Sequence, residues 1–297
     1  MDPETHAALH HWKMHRYQYH HIPFADAVRS LSTKKPLIEI KRASRPNEWI
    51  ACYTGTSNPA VMTYAGVFSE AEPYDTGNLV WGNNEPPPDL EESRITHFAG
   101  FKASYSFAIE TYHDREIWEL QRDVEEYVVT VPGFNIGRVP RLEWQNGHLA
   151  MMRFFMRVPM FFPHQTRGPQ PRAPDSVHPW VKAAHAKSRT HRANPRPPKV
   201  RAIENGVLRP IAECAQKKLE YGDVVGLVFT LGFTETPTSW SPVYMLSDVI
   251  RVMRANRDAF PAPTEEQPDE TPAYSDDFSI TDTPSRTSSM SFLPQSY

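Results

Sequence analysis

The chain has 297 residues, of which 39% are hydrophobic and 11% aromatic, enough apolar material for a buried core. Its net charge of −3 excludes a uniformly basic protein, and its apolar runs are too short for a membrane-spanning helix of about 20 residues. Because acidic residues stand at the extreme N-terminus, where a secretory signal would be basic, we expect a protein of the nucleus or cytoplasm without membrane contact.

The first 36 residues are rich in His, and their pattern predicts short helices. Leu9 and Trp12 lie three positions apart, which places them on one helical face. A second helix is predicted over 22–31, and Pro36 ends the segment because proline interrupts regular structure. Residues 1–36 are therefore interpreted as an N-terminal segment that precedes the strands.

The histidines of this segment suggest a metal site at first sight. His6 and His10, like His11 and His15, have the spacing of four that puts two imidazoles on one helical face. Zinc requires about four ligands, and no His-Glu-x-x-His motif accompanies these pairs. We predict a terminus that binds metal only adventitiously, and neither a metal centre nor a cofactor.

Strand patterns follow along the next part of the chain. Apolar and β-branched residues predict strands over 37–40, 49–54 and 61–68. A fourth strand is predicted over 101–109, where aromatic and polar residues alternate. The intervening residues 70–93 contain three consecutive prolines and several acidic residues, which indicates a loop.

One helix and one further strand are predicted before residue 135. Ile117, Leu120 and Val124 recur at i, i+3 and i+7, which favours an amphipathic helix over 114–124. The β-branched run 127–131 predicts a strand, which the following Pro-Gly pair ends.

An Asn146-Gly147 pair separates two apolar runs, 141–144 and 148–155. Asn-Gly tolerates the positive φ values of a two-residue turn, so the sequence predicts a β-hairpin here. The aromatic residues of the predicted strands, Phe154 and Phe155 among them, are predicted to be core residues rather than ligand contacts.

A basic, proline-rich segment comes next. Residues 163–203 carry nine Lys or Arg side chains against one acidic residue, Asp175, for a net charge of +8. Seven prolines after Pro163 forbid a long helix, although 180–188 has room for two turns. We predict a long basic loop over about 163–199 that projects from the β-rich domain, and such loops tend to be functional or disordered.

The clearest strand pair lies near the end of the folded part. Residues 223–233 and 240–252 are dominated by β-branched and aromatic residues and are separated by a short polar loop, which predicts a hairpin. Residues 212–219 are predicted to form a short helix before it. The pattern of short strands and turns predicts a mainly β (α+β) fold, an antiparallel β sandwich or a partly open barrel, formed by a single domain over 37–257.

Residues 258–297 form an acidic tail with a net charge of −7. The tail has few apolar residues and no periodicity, so we predict that it is disordered. Four roles remain open: a solubilising tail, a contact for a basic protein partner, a mimic of nucleic acid that folds back on the basic segment, or a site of phosphorylation at Thr271 and Thr283, each of which precedes a proline.

No catalytic motif is present in the sequence. Cys52 and Cys214 stand apart among apolar neighbours, which predicts buried free thiols. Asp123, Glu125 and Glu126 are clustered, but a charged turn is the more common explanation than paired catalytic carboxylates. We therefore predict a protein that is not an enzyme.

The predicted function is a non-enzymatic binding protein that contacts DNA or RNA electrostatically. The predicted contact residues are the nine cations of the basic segment: Arg167, Arg172, Lys182, Lys187, Arg189, Arg192, Arg196, Lys199 and Arg201. A nuclear-import signal or a plain linker is the other explanation of this segment. The alternative functions are a protein-interaction module with disordered arms and, third, an uncharacterised enzyme whose site is assembled from distant residues.

Overall fold

The computed structural model describes residues 1–45, 47–79, 103–142, 146–163, 173, 177–188 and 191–255. Its helices are Pro3–Lys13 (α1), Phe24–Ser30 (α2), Glu116–Val128 (α3), Asn146–Ala150 (α4) and Pro179–Lys187 (α5). Two single 3-10 turns cover Gly77–Leu79 and Ile211–Glu213.

The described part of the chain contains twelve β-strands. The first six are Ile22–Pro23 (β1), Ile38–Arg42 (β2), Glu48–Tyr53 (β3), Val61–Ala71 (β4), Ser104–Glu110 (β5) and Arg153–Pro159 (β6). The others are Phe161–Pro163 (β7), His191–Ala193 (β8), Lys199–Glu204 (β9), Val207–Pro210 (β10), Val224–Glu235 (β11) and Trp240–Met253 (β12). The predicted mainly β fold with a few short helices is confirmed.

Ten of these strands form one mixed sheet. Its main order is β10-β9-β12-β11-β4-β5-β6, while β1 joins β4, and β3 joins β11 and carries β2. All pairs are antiparallel except β1 with β4 and β12 with β9. Strands from both sides of the basic segment therefore share a single sheet. The predicted hairpin near the end of the fold is confirmed as β11 and β12.

The strands β12, β11, β4, β5 and β6 curl into a partly open barrel. Strand β6 packs beside β12 without being hydrogen-bonded to it. At this meeting point the Phe154 ring lies 5.3 Å from the Tyr244 ring, which in turn lies 5.5 Å from Phe229 and 6.2 Å from Phe24. Edge-to-face rings of this kind fill the interior, so the barrel is a packed core and not a channel.

Helix α3 closes one side of this core. Ile117, Leu120, Val124 and Val128 are all buried, at spacings of three, four and four residues. The predicted strand over 127–131 is therefore wrong, because its first residues extend the apolar face of α3. Burial of that face outweighs the β-propensity of a short Val-rich run.

The Asn146-Gly147 pair does not form the predicted two-residue hairpin turn. It begins α4, and the Gly147 carbonyl accepts a hydrogen bond from Met151 N. Strand β6 then pairs along its whole length with β5, from Arg153 opposite Glu110 to Pro159 opposite Ser104. The hairpin prediction is wrong because β6 pairs with β5, which is distant in sequence, and not with residues 141–144 as predicted.

The N-terminal segment lies across the sheet. Leu9 of α1 packs with Ala65, Val67 and Val224 in a small second core. Lys13, at the end of α1, pairs with Asp114 at 2.5 Å and with Glu116 at 2.8 Å, near the start of α3. The predicted short helices of this segment are confirmed as α1 and α2.

The basic segment is not one continuous loop. It contains α5, whose Val181 and Ala184 join the main core, and β8, which pairs with β7. Residues 164–172, 174–176, 189 and 190 lie outside the described part, as do 80–102 and the predicted acidic tail from 258 onward. The predicted helix over 212–219 is wrong, because only the 3-10 turn at 211–213 forms and Cys214 is extended.

Among the helices that the structure describes, none has the length and apolar character needed to cross a membrane.

Candidate nucleic-acid interface

The outward side of β6 carries an aromatic ring between two cations. Along β6, Phe154, Met156 and Val158 point into the core and are almost fully buried. Because successive side chains of a strand point to opposite sides, Arg153, Phe155 and Arg157 lie on the outside. Arg157 is exposed, and Phe155 is only partly buried. We call these three residues, with Ser106 and Ala108 opposite them on β5, the outer face.

The Phe155 ring is held in place by flanking groups. The His148 ring lies 4.3 Å from it at an inclination of 42°, and the Arg157 guanidinium lies 5.9 Å from its centroid. His148 comes from α4, the helix that replaces the predicted hairpin. Burial lowers the pKa of His148, and the positive charges of Arg157 and Arg153 lower it further. A neutral imidazole and a fixed phenyl ring therefore form the centre of the outer face.

Two carboxylates border this face, Glu70 on β4 and Glu72 directly after its end. Glu70, Glu72, Ser106, Phe155 and Arg157, with Ala71, line a depression of about 280 Å³. Glu70 pairs with Arg153 at 3.0 Å, in an exposed contact. Burial raises the pKa of Glu72. The positive charge of Arg157 lowers this pKa, and the negative charge of Glu70 raises it further. The depression is thus polar at its rim and aromatic at one wall.

Main-chain contacts bring part of the basic segment to the end of β6. Asn194 donates through its side chain to the Pro159 carbonyl at 3.0 Å and through its backbone to the Met160 carbonyl at 2.7 Å. The Asn194 side chain also accepts from Arg196 N at 2.8 Å. Arg196 therefore lies two residues after Asn194, which is hydrogen-bonded to the end of β6, the strand that carries Arg157.

The structure places the nine predicted contact residues differently. Arg196 and Lys199 are exposed, and neither forms an ion pair with a described residue. Lys182 is half-buried and has interactions of its own. Arg201 lies 3.1 Å from Asp248, and Arg192 is buried. The side chains of Arg167, Arg172, Lys187 and Arg189 lie outside the described residues, so their role stays a prediction.

The other clusters singled out from the sequence have internal partners. The Glu125 carboxylate is bound by Arg141, while Asp123 and Glu126 are exposed beside Arg122. Cys52 and Cys214 are buried free thiols, as predicted, and burial raises the pKa of both. Within the described residues, no three His, Cys, Asp or Glu side chains are grouped as metal ligands would be.

Phe155 is the residue that the sequence interpretation missed. It was predicted to be core together with Phe154, yet adjacent residues of a strand cannot both face inward. The alternation Arg153, Phe155, Arg157 against Phe154, Met156, Val158 was readable from the sequence. The neighbour His148 was not, because its approach depends on α4.

No protein-family model matches this chain, and no curated protein matches it. Among solved structures, it is similar to the crystal structure of gp2.5, a single-stranded DNA-binding protein encoded by bacteriophage T7, with 14% sequence identity. The match covers 68% of this chain and 97% of that chain at a TM-score of 0.27. Similarity at this level does not establish a family, and any function has to be inferred from the chain's own residues.

Proposed function

We propose that this protein binds single-stranded nucleic acid, with Phe155 of the outer face as a stacking platform for a base and Arg157 as a phosphate contact. The observation that carries the proposal is the outward Phe155 ring between His148 and Arg157, opposite the small residue Ala108 of β5. Every base presents a flat π-face, so stacking on an aromatic side chain tolerates sequence variation.

The arrangement of strands supports this proposal as an analogy of fold. The barrel order β12-β11-β4-β5-β6, with β6 beside β12, is that of a five-stranded, partly open Greek-key barrel. Barrels of this architecture bind oligonucleotides on the surface of their second and third strands, which correspond to β5 and β6. Architecture alone does not fix function, so the proposal depends on the side chains of the outer face.

The positive charges near the outer face indicate a path for the proposed single strand of nucleic acid. Arg153 and Arg157 lie on β6, and the fastening of Asn194 places Arg196 beyond the Pro159 end of the same strand. Lys199 follows at the start of β9, also exposed. Phosphates that leave the Phe155 platform toward Pro159 would meet these cations, and neutralised phosphates release counterions.

Fluorescence anisotropy with labelled single-stranded DNA, single-stranded RNA and duplex DNA, at several salt concentrations, tests the proposal. We expect the single strands to bind more tightly than the duplex. Phe155→Ala should weaken single-strand binding about tenfold, as expected for loss of one base–aromatic stack. Arg157→Ala should reduce the slope of log affinity against log salt by about 0.7, the contribution of one phosphate.

Matched variants separate a local effect from a general one. Tyr112 is an exposed aromatic residue after β5, and Arg122 is an exposed cation on α3. Tyr112→Ala and Arg122→Ala should leave affinity and salt slope unchanged, with all four variants retaining the wild-type circular dichroism spectrum. Equal affinities for wild type and Phe155→Ala, or no binding at low salt, would show that the proposal is wrong.

The alternative of a protein-interaction module leads to a different result. It predicts that Phe155→Ala and Arg157→Ala leave nucleic-acid binding as weak as in the wild type, and that the acidic tail is required to capture a basic protein. A truncation after residue 255 distinguishes the two, because the outer face is intact in the shortened chain.

A further inference from the structure

Arg192 is a buried cation that has no partner among the described residues. Only 4% of its surface is exposed, and its Nε atom is enclosed without a hydrogen-bond acceptor. No described carboxylate pairs with it. A guanidinium cannot lose its proton at any physiological pH, so a buried and unpaired one destabilises the fold. Such a group requires an explanation.

The position of Arg192 in the fold turns it away from the hydrophobic core. It lies in β8 directly opposite Phe162 of β7, while the neighbouring pair, Ala193 and Phe161, packs into the main core. Because side chains alternate along a strand, Arg192 and Phe162 share the opposite side of the two-stranded sheet. The residue keeps a small access to solvent, since 4% of its surface is exposed although its Nε is enclosed.

The charge of the sequence on both sides of Arg192 favours an anion from outside the chain. Between 163 and 203 there are nine cations and a single acidic residue, Asp175. A planar guanidinium donates two parallel hydrogen bonds to a phosphate, a geometry that a lysine does not offer. We propose that Arg192 is the anchor of an anion site that takes a phosphate group, and that this group belongs to the backbone of a bound nucleic acid.

The second half of this inference rests on the proposed function, whereas the first does not. Strand β7 follows β6 after one residue, Met160. Phe162 is therefore seven residues from Phe155, at most about 23 Å along an extended chain. A single strand of several nucleotides would span Phe155 and Phe162, and this length lies within the site sizes of about 4 to 16 nucleotides known for such barrels.

Thermal unfolding tests the anion site without nucleic acid. We expect sodium phosphate to raise the melting temperature of the wild type by about 2 to 4 °C relative to sodium chloride of equal ionic strength. Arg192→Gln should show a smaller increment than the wild type, because it loses the part that comes from phosphate binding and keeps the general salting effect, which both proteins share. In chloride alone, Arg192→Met should melt at or above the wild-type temperature, since it replaces an unpaired charge with an apolar side chain of similar length.

The competing explanation is an internal partner, for which Asp175 is the only acidic residue of the segment. If Asp175 pairs with Arg192, then Asp175→Asn and Arg192→Met will both lower the melting temperature in chloride, and phosphate will have no Arg192-dependent effect. That result would overturn the inference. A melting temperature for Asp175→Asn that equals the wild-type value, with the phosphate increment intact, supports it.

An oligonucleotide arm distinguishes the two sources of phosphate. Arg192→Gln should weaken binding of a labelled single strand about tenfold and reduce the salt slope by about 0.7. A phosphate increment that depends on Arg192, combined with oligonucleotide binding that does not, would overturn the backbone assignment and leave a site for free phosphate. Absence of any single-strand binding in the wild type would instead defeat the proposed function while the phosphate increment still decided the anion site.

Discussion

The Glu125 carboxylate accepts two hydrogen bonds from the Arg141 guanidinium, at 2.5 and 2.8 Å. Glu125 lies on α3, and Arg141 belongs to the connection that runs beside Trp240 of β12. Gln121, one turn before Glu125, accepts from the Tyr244 hydroxyl at 3.3 Å. These hydrogen bonds connect α3 to β12 and to the chain beside it, on the side of the barrel that α3 closes.

Removing Arg141 should destabilise the protein. Burial already raises the pKa of Glu125, and Arg141 opposes this rise. Arg141→Met leaves a largely buried carboxylate without its cation, which should cost about 3 kcal/mol in the free energy of unfolding at pH 8. Because the folded-state pKa of Glu125 then lies further above its unfolded value, the folded state binds more protons, and the loss should shrink as the pH falls to 5.

Urea unfolding of the wild type and Arg141→Met at both pH values measures this difference. Arg122→Met, which removes an exposed cation of the same helix, is the control and should change stability by less than about 0.5 kcal/mol. A loss for Arg141→Met that grows on acidification would contradict the assigned role of Glu125.

A side chain at Gly226 should displace the N-terminal segment. The Cβ atom of an alanine there would collide with the Tyr17 hydroxyl, which is buried without a partner among the described residues. Tyr17 stacks on Trp12, so its displacement should loosen α1. We expect Gly226→Ala to cost about 1 to 3 kcal/mol and to make the first 21 residues more sensitive to limited proteolysis.

Gly147→Ala is the matched control, because open space surrounds that position. The double variant Tyr17→Ala/Gly226→Ala removes the collision. It should be no less stable than Tyr17→Ala alone, and a further loss in the double variant would argue against the steric explanation.

Acidification should weaken the fold through His21. Burial, reinforced by the charge of His20, lowers the pKa of His21 to about 4, although Asp248 opposes the shift. The unfolded chain therefore binds a proton at higher pH than the folded chain does, and stability is lost as the pH falls from about 6.5 toward 4. We expect His21 to account for about 2 to 3 kcal/mol of that loss.

Denaturant unfolding between pH 7 and pH 4.5 checks this expectation. His21→Gln should flatten the profile, while His10→Gln, a substitution at an exposed position of α1, should follow the wild type. Parallel profiles for wild type and His21→Gln would exclude His21 as the responsible group.

Neutralising an acid at the rim of the outer face should strengthen nucleic-acid binding. Glu72 lies in the depression beside Phe155 and Arg157, where it repels phosphates. Glu72→Gln should bind a single strand about threefold more tightly. Because burial raises the pKa of Glu72, lowering the pH toward 5 should tighten binding of the wild type more than that of the variant.

Anisotropy titrations at pH 7 and pH 5 provide the measurement, with Glu119→Gln on an exposed position of α3 as the control. Unchanged binding by Glu72→Gln would indicate that the single strand avoids this depression, and weaker binding would contradict the repulsion by Glu72.

The parts of the fold that were predictable depend on local pattern. The β11–β12 hairpin and the amphipathic start of α3 follow from alternation and from apolar spacing within a dozen residues. The strand over 127–131 was mispredicted because burial of Val128 against the core is a long-range effect. Likewise, the predicted turn at Asn146-Gly147 does not form because β6 pairs with β5, and this pairing cannot be predicted from the local sequence.

The candidate site shows the same division. The charge of the basic segment is visible in the sequence, and the exposure of Arg196 and Lys199 agrees with it. Burial of Arg192 and the pairing of Arg201 with Asp248 depend on strand registers that composition does not contain. His148 reaches Phe155 only through the tertiary placement of α4.

The basic segment is held at both of its ends. At the beginning of the segment, β7 pairs with β8. At the end of the segment, β9 pairs in parallel with β12, and Lys199 lies opposite Asp248. A peptide bond broken between β7 and β8 would therefore leave two fragments joined by main-chain hydrogen bonds within the same particle. Such a nicked chain should elute intact in gel filtration and separate only under denaturing conditions.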